Sequence, residues 1–234
     1  SSTISGSRFD TNSADDGGGA VDSDNSIVTS SAFSANEAHA FSGGALAVNT
    51  ATVADSTFES NTAVLSGGAI NASISATVAA STFDLNDATS SGGAIHAGTL
   101  VNGSQIAFHG NQSEDNGGAI QATVVNLTSS VFDVNTAQLY GGAVHSLTAT
   151  VTLSYFDGNG ATEDEGGAIY ATTALVPTSI FVDSVPDDVN AAFGSVCSWD
   201  LTDPTLAGGI TACGDDRLGI CLLYTSDAAD EGLG

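Results

Sequence analysis

"STFESNTAVLSGGAI", residues 56–70, is followed twenty-five residues on by "STFDLNDATSSGGAI", residues 81–95. Ser, Phe, Asn and Gly-Gly-Ala-Ile keep their offsets while the residues between them change. The same frame runs through most of the chain. Phe-x-x-Asn occurs at Phe9/Asn12, Phe33/Asn36, Phe58/Asn61, Phe83/Asn86, Phe108/Asn111, Phe132/Asn135 and Phe156/Asn159, with Phe spacings of 24 or 25 residues. Gly-Gly-Ala follows each time, beginning at Gly18, Gly43, Gly67, Gly92, Gly117, Gly141 and Gly166, and then Val, Leu or Ile. Phe181 arrives on schedule, but its partner position holds Ser184. A fixed period of this length is the mark of a solenoid.

The rungs are made of strands. Apolar residues alternate over short stretches such as "ATVADSTF" and "TVTLSYF", with no recurrence at three and four. Short strands at constant spacing stack in register as a parallel β-helix, each rung about 4.8 Å above the last. The reading is therefore all-β: a parallel β-helix of about seven to eight rungs, right-handed by the crossover preference. Phe stacks inside, and the Ile/Leu/Val column adds a second buried stripe. Strand alternation then turns Ala72, Ala97, Ala122 and Ala171 inward. Paired glycines suit a corner needing positive φ or close backbone approach. Asn36, Asn61, Asn86, Asn111, Asn135 and Asn159 form an amide ladder. A Ser column at 7, 31, 56, 81, 130, 154 and 179 is broken by Ile106. Removing one ladder amide is expected to cost about 1–3 kcal/mol, less than the ~3–5 kcal/mol of a buried ring.

Composition narrows the function. The 234 residues hold 27 acids against Arg8 and Arg217, a formal charge of −25. Such a surface repels phosphate backbones, which excludes nucleic acid as a partner. No run approaches the ~18 apolar residues of a membrane helix, so no membrane insertion is expected from these residues. There is no basic-then-apolar secretory start and no Met, as expected of a fragment of a larger protein.

Gly-Gly-Ala-[Ile/Leu/Val] alternating with Phe-x-x-Asn resembles the repeat of chlamydial-type polymorphic outer-membrane proteins. The resemblance covers residues 1–183. It implies a right-handed β-helix carried on the cell surface or secreted, serving adhesion, with a host or environmental surface protein or glycan as partner.

Residues 184–220 lose the period and read as a C-terminal cap, which a solenoid needs over its last rung. Within them Cys197 and Cys213 are spaced for a disulfide worth roughly 3 kcal/mol in an oxidising compartment, or stand as two free thiols. Residues 221–234, beginning "CLLYTSDAADE", resemble the translation of a sequencing-library adapter and are not read as a domain.

The outward line beside Gly-Gly-Ala reads Asp22, Ala47, Asn71, His96, Gln121, His145, Tyr170. Its residues vary over constant buried columns, so Asn71, His96, Gln121, His145 and Tyr170 are the candidate ligand-contact stripe. His96 and His145 lie two rungs apart, too far for a shared zinc without a third ligand. The corners "SADDGGG", "QSEDNGG" and "ATEDEGG" offer weak calcium ligation at most, since other corners lack acids. No catalytic constellation stands out. A non-enzymatic scaffold for adhesion or interaction, without cofactor, is the expectation; the alternative is a polysaccharide-active β-helix, a lyase or glycoside hydrolase using paired carboxylates.

Overall fold

The computed structural model describes residues 1–163, 166–184, 189–195 and 198–200, where it has strands and no helix. Three parallel sheets run the length of the rod, each strand pairing with its counterpart one rung away. The long sheet has nine strands, from Ser2–Ser5 through Ile70–Ala79 to Val189–Ser195. The phenylalanine sheet also has nine, from Arg8–Asp10 through Thr82–Asp84 to Ser198–Asp200. A seven-stranded short sheet of two-residue strands, from Ser13–Ala14 to Gly160–Ala161, closes each rung.

The single-residue differences between rungs have a place. Ile70–Ala79 and Ile95–Ser104 carry ten residues, one more than Leu46–Ala54 or Ile120–Thr128. The extra residue forms a bulge between Ala72 and Ser75 against the preceding rung, and between Ala97 and Leu100 against the following one. The ladder resumes in register on both sides, so the inward face is undisturbed.

The interior follows the expected columns. Phe9, Phe33, Phe58, Phe83, Phe108, Phe132, Phe156 and Phe181 stack with centroids 4.6–5.1 Å apart and planes within 16°. All but Phe9 are buried. Leu46, Ile70, Ile95, Ile120, Val144 and Ile169 form the second stripe, with Ala72, Ala97, Ala122 and Ala171 inward beside it. One rung exchanges volumes. Where its neighbours place Val53 and Val78, it has Gly103 in register, and where they have a Ser it has Ile106. A Cβ on Gly103 would sit 2.5 Å from Ile106 Cδ1, so the larger side chain fills the space the glycine leaves.

The two glycines of each corner do different work. At Gly67 and Gly92 φ is +66°, and a side chain would also strike the carbonyl three residues on. At the second glycine the obstacle is the next rung: a Cβ on Gly93 would lie 2.1 Å from the Gly118 carbonyl oxygen. The corner before the buried Asn turns without glycine in four rungs of six. The residue before each buried Asn is left-handed, at Ala35, Ser60, Leu85, Gly110, Val134 and Gly158, with φ between 47° and 59°.

The amides lock the rungs together. Asn61 donates its backbone N–H and one side-chain N–H to Asn86 Oδ1, at 3.0 and 2.9 Å. Its side chain also donates to the Phe33 carbonyl at 3.1 Å, while its own Oδ1 accepts two N–H groups from Asn36. Donors and acceptors are all used in a side chain with no solvent exposure. Beside it, the N–H of Ser31 donates to Ser56 Oγ, and that of Ser56 to Ser81 Oγ.

Residues 184–220 include strands of the rod. Val189–Ser195 pairs with Ile169–Leu175, and Ser198–Asp200 with Ser179–Val182, so two sheets run past residue 183. From Ile169 to its partner Val189 is only twenty residues, which is why the period is lost to the eye there.

Phe83→Ala is expected to lower stability by about 3–5 kcal/mol. Asn86→Ala leaves the buried backbone N–H of Asn61 and one of its side-chain N–H groups without their acceptor. At about 1–3 kcal/mol for each buried group, its cost rises to match the ring. Urea midpoints compare the two directly, and a small loss for Asn86→Ala would refute the locking role. Val134→Gly should gain about 1 kcal/mol by relieving a β-branched residue at positive φ, read as a higher melting temperature.

Candidate binding face

Strand pairing puts the five candidate residues in one line. Asn71 pairs with His96, His96 with Gln121, Gln121 with His145, and His145 with Tyr170. Each sits outward one residue after the buried Ile or Val column. They are half-buried, because the Gly-Gly corner brings the preceding segment up beside them. The line starts near a shallow depression of about 530 Å³ lined by Asp22, Asp24, Asn49, Asn71 and Ser73.

Its two ends differ chemically. Asn71 Oδ1 and His96 Nδ1 are 2.8 Å apart; with the amide oxygen accepting, the proton is on Nδ1. At the other end Tyr140 joins the line from the corner before Gly141. Its ring lies 4.6 Å from that of Tyr170 and 6.2 Å from His145, with His145 and Tyr170 5.6 Å apart. Asn116 holds the equivalent corner position one rung earlier and pairs with Tyr140 in an isolated parallel bridge. Among the described residues, six sheltered side-chain atoms lack a hydrogen-bond partner. Three of them, Asn116 Oδ1, Gln121 Oε1 and His145 Nδ1, belong to this patch.

The surroundings divide by charge. None of the 27 acids falls in the six long-sheet strands from Leu46–Ala54 to Ile169–Leu175. Their outward positions are Thr, Ser, Ala, Asn and a few apolar residues, including Ile74 and Leu147, both more than half exposed. The phenylalanine sheet is the reverse. The residue after each Phe forms a register line through Glu59, Asp84, His109, Asp133 and Asp157. His109 Nδ1 lies 2.7 Å from Asp133 Oδ2, and the Tyr155 hydroxyl donates to Asp157 at 3.0 Å.

The sequence reading missed two features. The acid line was visible as the residue after each Phe. Tyr140 was visible in "QLYGG", but as a corner residue it gave no sign of reaching the next rung's stripe. The acidic corners stay separate: Asp115 accepts from the Ser90 hydroxyl, and Glu163 from the Gln138 amide. Among the described residues no group of three or more His, Cys, Asp or Glu is placed to hold a metal ion. Cys197 and Cys213, the proposed disulfide, lie outside the described residues.

Residues 55–73, 105–123 and 154–172 match the family model of the Chlamydia polymorphic membrane protein repeat. Each match spans Phe-x-x-Asn, Gly-Gly-Ala-Ile and the stripe residue that follows. Comparison with curated proteins and with solved structures found no match. Three segments of the chain are thus similar to this repeat.

Burial pushes both His96 and His145 below the ordinary histidine value of 6.5. The unfolded chain therefore takes up protons at a higher pH than the folded one. Stability present above pH 6.5 should fall as pH drops through the folded values. Asp87, raised by burial and then by Glu114, acts in the opposite sense and at lower pH. Replacing both histidines by Gln should flatten the fall in melting temperature between about pH 7 and 5; an unchanged slope would show that they carry none of it.

Proposed function

We propose that this rod of polymorphic-membrane-protein repeats is a non-catalytic surface scaffold that adheres through the outer face of its long sheet. The observation that carries this reading is the division of charge. A chain with a formal charge of −25 keeps six consecutive strands of its widest sheet free of acids. The acidic sides hold the rod in solution and repel copies of itself. The uncharged side has no such barrier to contact, and Ile74, Leu147 and Leu175 give it exposed apolar area.

Catalysis is supported less well. The repeat family is not known for enzymatic activity, and the closest acids form a regular surface line without an enclosing cleft. Glycosidase chemistry needs two carboxylates with divergent environments around a bound sugar. In the line after Phe the acids stand one to a rung on a strand face, and Asp133 and Asp157 are engaged by His109 and the Tyr155 hydroxyl.

The test uses the full chain on arrays of glycans and matrix proteins and on cultured-cell monolayers, alongside depolymerisation assays on pectin-like and alginate-like polymers. Adhesion without turnover is expected. Thr77→Asp with Asn126→Asp should weaken it about tenfold or more by placing charge in the contact, while Asp133→Asn should leave it unchanged. Sustained depolymerisation, abolished by one Asp change, would overturn the scaffold in favour of the enzyme.

A further inference from the structure

We propose that the patch formed by Asn116, Gln121, Tyr140, His145 and Tyr170 is a subsite for neutral pyranose rings of a glycan chain lying along the rod. This deepens the scaffold reading and rests on it.

Three observations converge on the ligand class. The first is ring geometry. Tyr140 and Tyr170, 4.6 Å apart and inclined by 40°, form an aromatic cluster that His145 extends at 5.6 Å from Tyr170. The electron-rich faces of such rings favour the weakly positive C–H face of a sugar. The second is unmet hydrogen bonding. Asn116 Oδ1, Gln121 Oε1 and His145 Nδ1 lack partners in the protein while sheltered from solvent. Leaving such groups unpaired is costly, and a ligand rich in hydroxyls, which both donate and accept, relieves it. Asn116 and Gln121 are themselves only half-buried.

The third observation is charge. The strands of the patch carry no ionised group, and the corners bordering it hold Glu114, Asp115 and Glu163. Carboxylated or sulfated sugars meet repulsion there, and among the described residues no Arg or Lys is in reach to offset it: Arg8 is at the far end of the rod, on the first strand of the phenylalanine sheet. A basic ligand is drawn instead to the acid line of that sheet. A neutral sugar fits what remains. The register line continues to His96 and Asn71 in steps of about 4.8 Å, close to the length of one pyranose unit. Successive sugars of a chain therefore meet successive polar side chains.

The experiment is calorimetric titration of the full chain with cellohexaose, mannohexaose and chitohexaose, and with oligogalacturonate and heparin as anionic probes. At least one neutral hexasaccharide should bind, with affinity insensitive to salt and the anionic probes about tenfold weaker or more. Tyr170→Ala and Tyr140→Ala should each weaken binding about tenfold, with melting temperatures checked to confirm folding. Tyr170→Phe, which keeps the ring, should retain it, and Asp157→Asn should not alter it. Binding restricted to the anionic probes, neutral binding indifferent to both tyrosines, or no binding of any neutral probe would each overturn the subsite. Adhesion to cells or matrix protein that survives in such a case, and is lost in Thr77→Asp/Asn126→Asp, would leave the scaffold standing. Loss of all adhesion would remove both.

Discussion

A buried amide is tolerable only if all its hydrogen-bonding capacity is used, and in this rod the requirement is met by geometry that only stacking supplies. Asn61 reaches back to the Phe33 carbonyl and forward to Asn86, so one side chain ties three rungs. Its backbone N–H, which the left-handed residue before it turns away from the sheet ladder, also donates to Asn86 Oδ1. Without the neighbouring rungs each amide would carry a desolvation penalty of a few kcal/mol. With them it becomes a joint that fixes the rung height at which the Phe rings also stack. Register, corner conformation and ring stacking are thus set together, and the outward columns inherit their alignment from that interior.

Much of the interior was legible because the constraint repeats. Phe, Asn, Ser and Gly-Gly-Ala keep their spacing since each must meet its own kind one rung away, and a period is easy to see in one sequence. What was not legible depends on compensation within a rung or on reach between rungs. Gly103 and Ile106 look like two unrelated departures until their side chains are found to share one space. The left-handed corners at Leu85 and Val134 carry no glycine signal. The strand Val189–Ser195 belongs to the long sheet although its rung is shortened to twenty residues. The outward stripe could be read as a line, but its partial burial and the arrival of Tyr140 come from how the corner folds back.

The rod has two chemically distinct sides built on one core. Residues after Phe point outward and are mostly acidic from Glu59 to Asp157, whereas the long sheet is neutral over six strands. Because the pleat separates inward from outward positions, these surfaces change without disturbing the packed columns. The half-buried aromatic patch at Tyr140 and Tyr170 is where the neutral side departs most from a plain Thr- and Ser-rich face.

The amide ladder also has a direction. Each Nδ2 from Asn12 through Asn135 donates to the rung after, so each Oδ1 from Asn36 through Asn159 accepts from the rung before. A rung is completed by its successor and by nothing further along. A chain that emerges N-terminus first, from a ribosome or through a pore, therefore leaves one joint open at any moment, at its growing tip. Folding can keep pace with emergence, and each finished turn resists slipping back the way it came.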